Sequence, residues 1–107
     1  MAVEKEEKHY SLLMVRRKNQ VLLGRKKSGH EAMIGKWNGF GGKVEPEESI
    51  LDATARELTE ECGLSVDKTQ LRPVGKFVGE QTGNPKLWVV HIFETFQFEG
   101  NLIDLVL

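Results

Sequence analysis

Short apolar runs bounded by polar residues open the chain. "HYSLLMV" (9–15) and "QVLLG" (20–24), separated by the polar "RRKN" (16–19), are predicted to form two short strands of a hairpin. The segment "RKKSGHEAMIGK" (25–36) is basic, mixed and glycine-containing, so it is predicted to be a loop that could lie over a site. "WNGFGG" (37–42) then sets two aromatic residues in a glycine-dense turn. From Ser49 onward the period changes. Leu51, Ala55, Leu58 and Cys62 recur at spacings of four, three and four, which puts them on one apolar stripe of a helix from about Ser49 to Cys62. Ser49 with Asp52 forms a capping pair, and Gly63 supplies the stop. "QLRPVGKFVGEQ" (70–81) and "KLWVVHIFETFQF" (86–98) carry strand composition, with "TGNP" (82–85) as the turn between them. The order β, β, loop, α, β, β predicts an α/β (α+β) domain with a mixed, largely antiparallel sheet packed on one helix.

Length and composition narrow this picture. At 107 residues, 39% hydrophobic and 29% charged with a formal net charge of −1, the chain has the composition of one small globular domain. Residues 1–10 are expected to be a flexible start and 11–107 the domain. The charge balance gives no reason to expect a nucleic-acid polymer or a membrane as partner. "MAVEKEEKHY" (1–10) lacks the apolar core of a signal peptide, so a cytoplasmic placement is expected, with nuclear or mitochondrial placement left open. The one cysteine, Cys62, falls on the apolar stripe as a small buried hydrophobe.

The helix also gathers acid. Glu57, Glu60 and Glu61 stand at i, i+3 and i+4, on the side away from the apolar stripe, and like charges at that spacing repel. Arg56 can pair with Glu60, but one cation cannot neutralise three anions, and a divalent metal would supply the missing charge. Hard oxygen donors suit Mg²⁺, or Mn²⁺, and Mg²⁺ commonly takes substrate phosphate oxygens into its shell. The substrate is therefore expected to be a phosphate compound. Gly41 and Gly42 allow close backbone approach, and Lys43 with Arg25, Lys26 and Lys27 could offset polyphosphate charge. The alternative is a solvated helix face carrying surface ion pairs.

Spacing favours the site. Gly42, five residues, Glu48, seven residues, then Arg56-Glu57-Leu58-x-Glu60-Glu61-x-Gly63-Leu64 resembles the Nudix box, the loop–helix–loop signature of hydrolases that cleave nucleoside diphosphates linked to another moiety. With "WNGFGGKV" (37–44), "VLLGRKK" (21–27), "LRPVG" (71–75) and "VVHIF" (89–93), the chain from about Ser11 to Gly100 resembles more narrowly the MutT-type oxidised purine nucleoside triphosphate hydrolases, the 8-oxo-dGTP diphosphatases.

The resemblance implies that Glu57, Glu60 and Glu61 are metal ligands, that Gly41 gives a backbone carbonyl to the metal, and that Arg56 holds Glu48. It implies hydrolysis of a nucleoside triphosphate, such as 8-oxo-dGTP, to a monophosphate and pyrophosphate. Ser11 and Lys26 fall at substrate-touching positions, and Asn38 at that of a base-reading asparagine, with a turn-forming role before Gly39 as its plain alternative. Trp37 and Phe40 are read as pocket walls or core aromatics, and Trp88 as core or a base-stacking indole. His91 is read as a structural histidine, while His9 and His30 show no partner pattern. Glu80, Glu94 and Glu99 are weighed as general bases and read instead as exposed strand or turn residues.

The enzymes resembled continue past the point matching Gly100 with further strands, a second helix and base-reading residues, so the C-terminal part of the fold is expected to be missing and stability to be marginal. "LIDLVL" (102–107) does not resemble that continuation, and a monomer is expected, with self-association through this apolar end as the alternative. Two other functions stay open: a weakly active or inactive form that binds nucleotide or a partner subunit, and a Nudix hydrolase of another nucleoside-diphosphate compound.

Overall fold

β1 (Glu6–Arg17) is the strand around which the sheet is assembled in the computed structural model, which describes residues 6–25, 37–80 and 82–102. It turns back through Lys18, which takes the left-handed φ of 55°, into the antiparallel β2 (Gln20–Leu22). Two short strands follow, β3 (Gly24–Arg25) and β4 (Trp37–Asn38), paired Gly24↔Asn38 and Arg25↔Trp37, so the ends of the basic segment meet. Lys26 to Lys36 lie outside the described residues, and with them the loop expectation, the Lys26 and Lys27 charges and His30. Residues 103–107, on which the self-association expectation falls, lie outside them too. β5 (Phe40–Lys43) pairs antiparallel with β1, from Leu13↔Phe40 to Tyr10↔Lys43. After α1 (Ile50–Cys62), β6 (Arg72–Glu80) and β7 (Lys86–Thr95) form an antiparallel pair.

The sheet runs β2–β1–β7–β6, with β5 also on β1. Its longest pairing is parallel, β1 on β7 from Glu6↔Lys86 to Val15↔Thr95, whereas the other pairings are antiparallel. A parallel pair needs a long crossover, and the chain between β1 and β7, α1 included, supplies it. The same pairing corrects the expectation of a flexible start through residue 10. Glu6 to Tyr10 are the first half of β1, because each finds a register partner on β7.

Ser49 caps α1 as expected. Its hydroxyl accepts from the Asp52 N–H at 3.1 Å and donates to the Asp52 carboxylate at 2.9 Å. Gly63, at φ 82°, ends the helix and donates its N–H to the Thr59 carbonyl. The buried stripe is rotated from the predicted one. Ala53, Thr54, Leu58 and Cys62 are buried, whereas Leu51 is exposed. Thr54 can be buried because its hydroxyl donates to the Ile50 carbonyl at 2.7 Å, a local bond invisible to a count of apolar residues. Burial raises the Cys62 thiol pKa, which keeps it an unreactive part of the core.

The core joins Leu13 and Val15 of β1, Phe40 of β5, Leu58 and Cys62 of α1, Leu64, Leu71 and Phe93 of β7. It occupies the sheet face that α1 covers, and the odd-numbered residues of β1 and β7 point into it. Among the described residues no helix is long and apolar enough to cross a membrane.

Candidate functional site

Register places the glycines of β5 under the acidic face of α1. The Val44 N–H donates to the His9 carbonyl at 2.9 Å, so along this antiparallel pair Ser11↔Gly42 and Leu13↔Phe40 are the hydrogen-bonded pairs and Leu12↔Gly41 is not. Gly41 therefore turns its N–H and C=O away from β1. The N–H donates to Glu61 Oε1 at 3.0 Å, and the carbonyl opens on the same edge. A Cβ on Gly41 would lie 1.9 Å from the Ser11 carbonyl oxygen, so only glycine lets the two strands approach this closely. At Gly42 a Cβ would lie 2.7 Å from the Glu57 carboxylate, which fills the space a side chain would need.

Arg56 binds this acidic surface together. Its Nε and Nη2 donate to Glu48 Oε2 and Oε1 at 3.0 and 2.6 Å, and its Nη1 donates to Glu57 Oε1 at 2.9 Å and Glu60 Oε2 at 3.0 Å. Nη2 also reaches the Lys43 carbonyl at 3.3 Å, tying α1 to the end of β5. Glu48 in turn accepts from the Glu45 N–H at 2.9 Å. The guanidinium, then that N–H, hold the Glu48 carboxyl below its ordinary pKa. The carboxylates, led by Glu48, raise the Arg56 pKa further, so it stays charged at any working pH.

These bonds bring Glu48, Arg56, Glu57, Glu60, Glu61, Gly41 and Gly42 into one region. The three helix carboxylates meet it in two ways: Glu57 and Glu61 turn to the glycines of β5, while the more exposed Glu60 pairs with Arg56 on the outer side of the helix. Among the described residues no three acidic, histidine or cysteine side chains stand close enough together to hold a metal ion between them. The donors are nonetheless hard oxygens beside a cradle that a side chain would fill, which suits a cation that takes one or two carboxylates and completes its shell with water and phosphate oxygens.

The remaining expected site residues sit differently. Phe40 is corrected from a pocket wall to a core residue, 3% exposed against Leu13 and Leu58, because its strand faces α1. Asn38 turns its amide oxygen onto the Gly39 N–H at 2.9 Å, the turn-forming alternative. Lys43 is exposed at the end of β5. Ser11 is buried on the α1 side of β1, and among the described residues its hydroxyl has no hydrogen-bond partner, which costs about 1–3 kcal/mol unless a ligand or water supplies one. Trp88 is partly buried on the opposite sheet face, and Glu94 is engaged by Arg16 at 2.9 Å.

The histidines carry a relation that sequence reasoning missed. His9 Nδ1 lies 2.9 Å from His91 Nε2, and His9 Nε2 lies 3.1 Å from Glu7 Oε2. The two rings, 82 positions apart in the chain, meet because β1 and β7 run parallel in a register no local pattern encodes. The signal available was parity, since His9 and Ser11 share one face of β1.

Comparison with known proteins accords with this geometry. A family model described as the NUDIX domain matches residues 4–105. The chain is 50% identical over 91 residues to an oxidized purine nucleoside triphosphate hydrolase of Mus musculus, covering 85% of this chain and 56% of that protein. It is 48% identical over 90 residues to the protein of the same name from Danio rerio, covering 84% of this chain and 55% of that one. The chain thus spans about half the length of the curated relatives it matches. The crystal structure of a MutT NUDIX hydrolase from Burkholderia pseudomallei superposes with a TM-score of 0.79 at 24% identity, over 95% of this chain and 75% of that one, a likeness of fold.

Proposed function

The chain belongs to the NUDIX family, and from that premise we propose that it is a divalent-metal-dependent hydrolase of nucleoside triphosphates, releasing a nucleoside monophosphate and pyrophosphate. Oxidised purine nucleotides such as 8-oxo-dGTP are the proposed substrates, which the names of the two curated relatives support. The observation that carries the proposal is the seating of Glu57 and Glu61 on the side-chain-free surface of Gly42 and Gly41. Like charges on adjacent turns are costly, and the arrangement persists because Arg56 and the backbone N–H of Gly41 hold the carboxylates in place.

In this reading Glu57 and Glu61 would hold Mg²⁺ or Mn²⁺ beside the Gly41 carbonyl, with Glu60, which pairs with Arg56 in this structure, as the third carboxylate of the set. When bound, the ion would polarise the phosphate and lower the pKa of a water. The chain's own residues do the rest. Arg56 and Glu48 fix the helix start against β5, and Gly42 leaves room for the Glu57 carboxylate where any side chain would displace it. Ser11, Lys26, Asn38 and Lys43 are proposed to touch the nucleotide.

The test is product identification after incubation with Mg²⁺ and a panel of normal and oxidised nucleoside triphosphates. Monophosphate and pyrophosphate from an oxidised purine nucleotide, lost on Glu61→Gln, are expected. Products of another bond, or release unaffected by Glu61→Gln, would overturn the proposal. A second reading is a form that binds nucleotide without turnover, which the same panel would reveal as saturable binding with no product.

A further inference from the structure

Beside the glycine cradle, one row of side chains crosses four strands on the face that α1 packs against. Gly42 on β5 is the register partner of Ser11 on β1, Ser11 of His91 on β7, and His91 of Lys76 on β6. Partners in register point to the same face, so Ser11, His91 and Lys76 form a continuous line of polar side chains leading outward from Glu57. The row next to it, Phe40, Leu13 and Phe93, is core. The row on its other side pairs His9 with the buried Val89.

We propose that Ser11, His91 and Lys76 form an anion-binding strip that receives the outer phosphates of the substrate and the pyrophosphate it becomes. Two independent observations support the assignment. Ser11 Oγ is buried without a partner among the described residues, at the inner end of the strip. The His91 ring is fixed rather than loose: its Nε2 meets His9 Nδ1 at 2.9 Å, and Glu7 holds the other side of His9 at 3.1 Å. In the tautomer whose His9 Nε2–H donates to the Glu7 carboxylate, His9 Nδ1 is left to accept from His91 Nε2–H.

Protonation would give His91 a second N–H for a phosphate oxygen. The groups that face it are His9 from β1, Lys76 from β6 and, through His9, the Glu7 carboxylate, with Glu57 beyond Ser11 and Gly42. Burial, then His9 and Lys76, lower the His91 pKa, so the ring is neutral at neutral pH and a bound anion would draw a proton to it. The strip rests on the nucleotide reading only for the identity of the ligand.

The experiment titrates the full chain with sodium pyrophosphate in EDTA and follows the ring resonances of His9 and His91 by NMR. EDTA removes the divalent cation, so the outcome is independent of the carboxylates holding metal. Saturable shifts of both rings are expected, with the His91 titration midpoint moved to higher pH by the ligand. His91→Gln and the solvent-facing Lys76→Gln are each expected to weaken binding roughly tenfold, as loss of one charge-assisted hydrogen bond would. Unmoved rings at tens of millimolar pyrophosphate, shifts confined to α1, or wild-type affinity in folded Lys76→Gln would overturn the strip. Metal-dependent hydrolysis persisting beside such a result would leave the family activity standing and remove only this assignment.

Discussion

Gly42 and Glu57 share one volume: a Cβ on residue 42 would lie 2.7 Å from the carboxylate carbon of Glu57. The adjacent Gly41 is tight for another reason, because its Cβ would strike the Ser11 carbonyl at 1.9 Å. Backbone cannot yield as a side chain can. Gly42→Ala is therefore expected to leave the fold within about 1 kcal/mol of wild type while lowering activity at least about tenfold, by displacing Glu57. Gly41→Ala is expected to cost about 3 kcal/mol of stability. Urea unfolding and turnover, measured together on both variants, separate the two effects.

Arg56 answers carboxylates at three positions, Glu48, Glu57 and Glu60. Arg56→Lys keeps the charge but loses the planar fork that engages Glu48 through two nitrogens. Partial exposure screens these bonds, so a loss of roughly 1 kcal/mol is expected for Arg56→Lys, a fall in Tm of about 4–8 °C for a domain of this size. Thermal unfolding at low and high salt checks this, and the difference should shrink as salt rises.

Acid should weaken the molecule through the same contact. Arg56, then the Glu45 N–H, hold the Glu48 pKa below its ordinary 4.5, and Lys68, then Ser49, hold that of Asp52 below 3.8. A carboxylate with a depressed folded pKa contributes its stability fully above the unfolded value and loses it as pH falls through the folded one. Tm is expected to be flat above about pH 5 from these groups and to fall below about pH 4.5. Glu48→Gln should be less stable than wild type at neutral pH and converge with it in acid, as a Tm series across that range would show.

The rotated stripe of α1 makes a paired prediction. Leu58 is fully buried in the core, whereas Leu51 is 38% exposed. Leu58→Ala is expected to cost about 3 kcal/mol and Leu51→Ala less than about 1 kcal/mol. Chemical denaturation of both variants tests which face of the helix is held.

Much of this is legible in the order of the residues alone. The Ser49 cap, the Gly63 stop, the helix between them and the two C-terminal strands follow from local chemistry, and the observed strands Arg72–Glu80 and Lys86–Thr95 fall inside the expected 70–81 and 86–98. The spacing of Gly42, Glu48 and Arg56 to Leu64 carries the family, and Arg56 does meet Glu48. What cannot be read that way is non-local. The strand content of Glu6 to Tyr10 depends on β7, whose register partners lie 80 residues further along the chain. The burial of Thr54 depends on a hydroxyl bond to Ile50, and the His9–His91 contact depends on parallel register. Phe40 suits a pocket as well as a core by residue type, and only its pairing with Leu13 decides the matter.

Isothermal titration of Mn²⁺ or Mg²⁺ into the folded chain, with a non-hydrolysable nucleoside triphosphate present, tests the proposed metal-dependent chemistry most directly. Saturable uptake is expected for the wild type, abolished or weakened at least about tenfold in Glu57→Gln and in Glu61→Gln. No uptake by well-folded protein, or uptake unchanged in both variants, would contradict it.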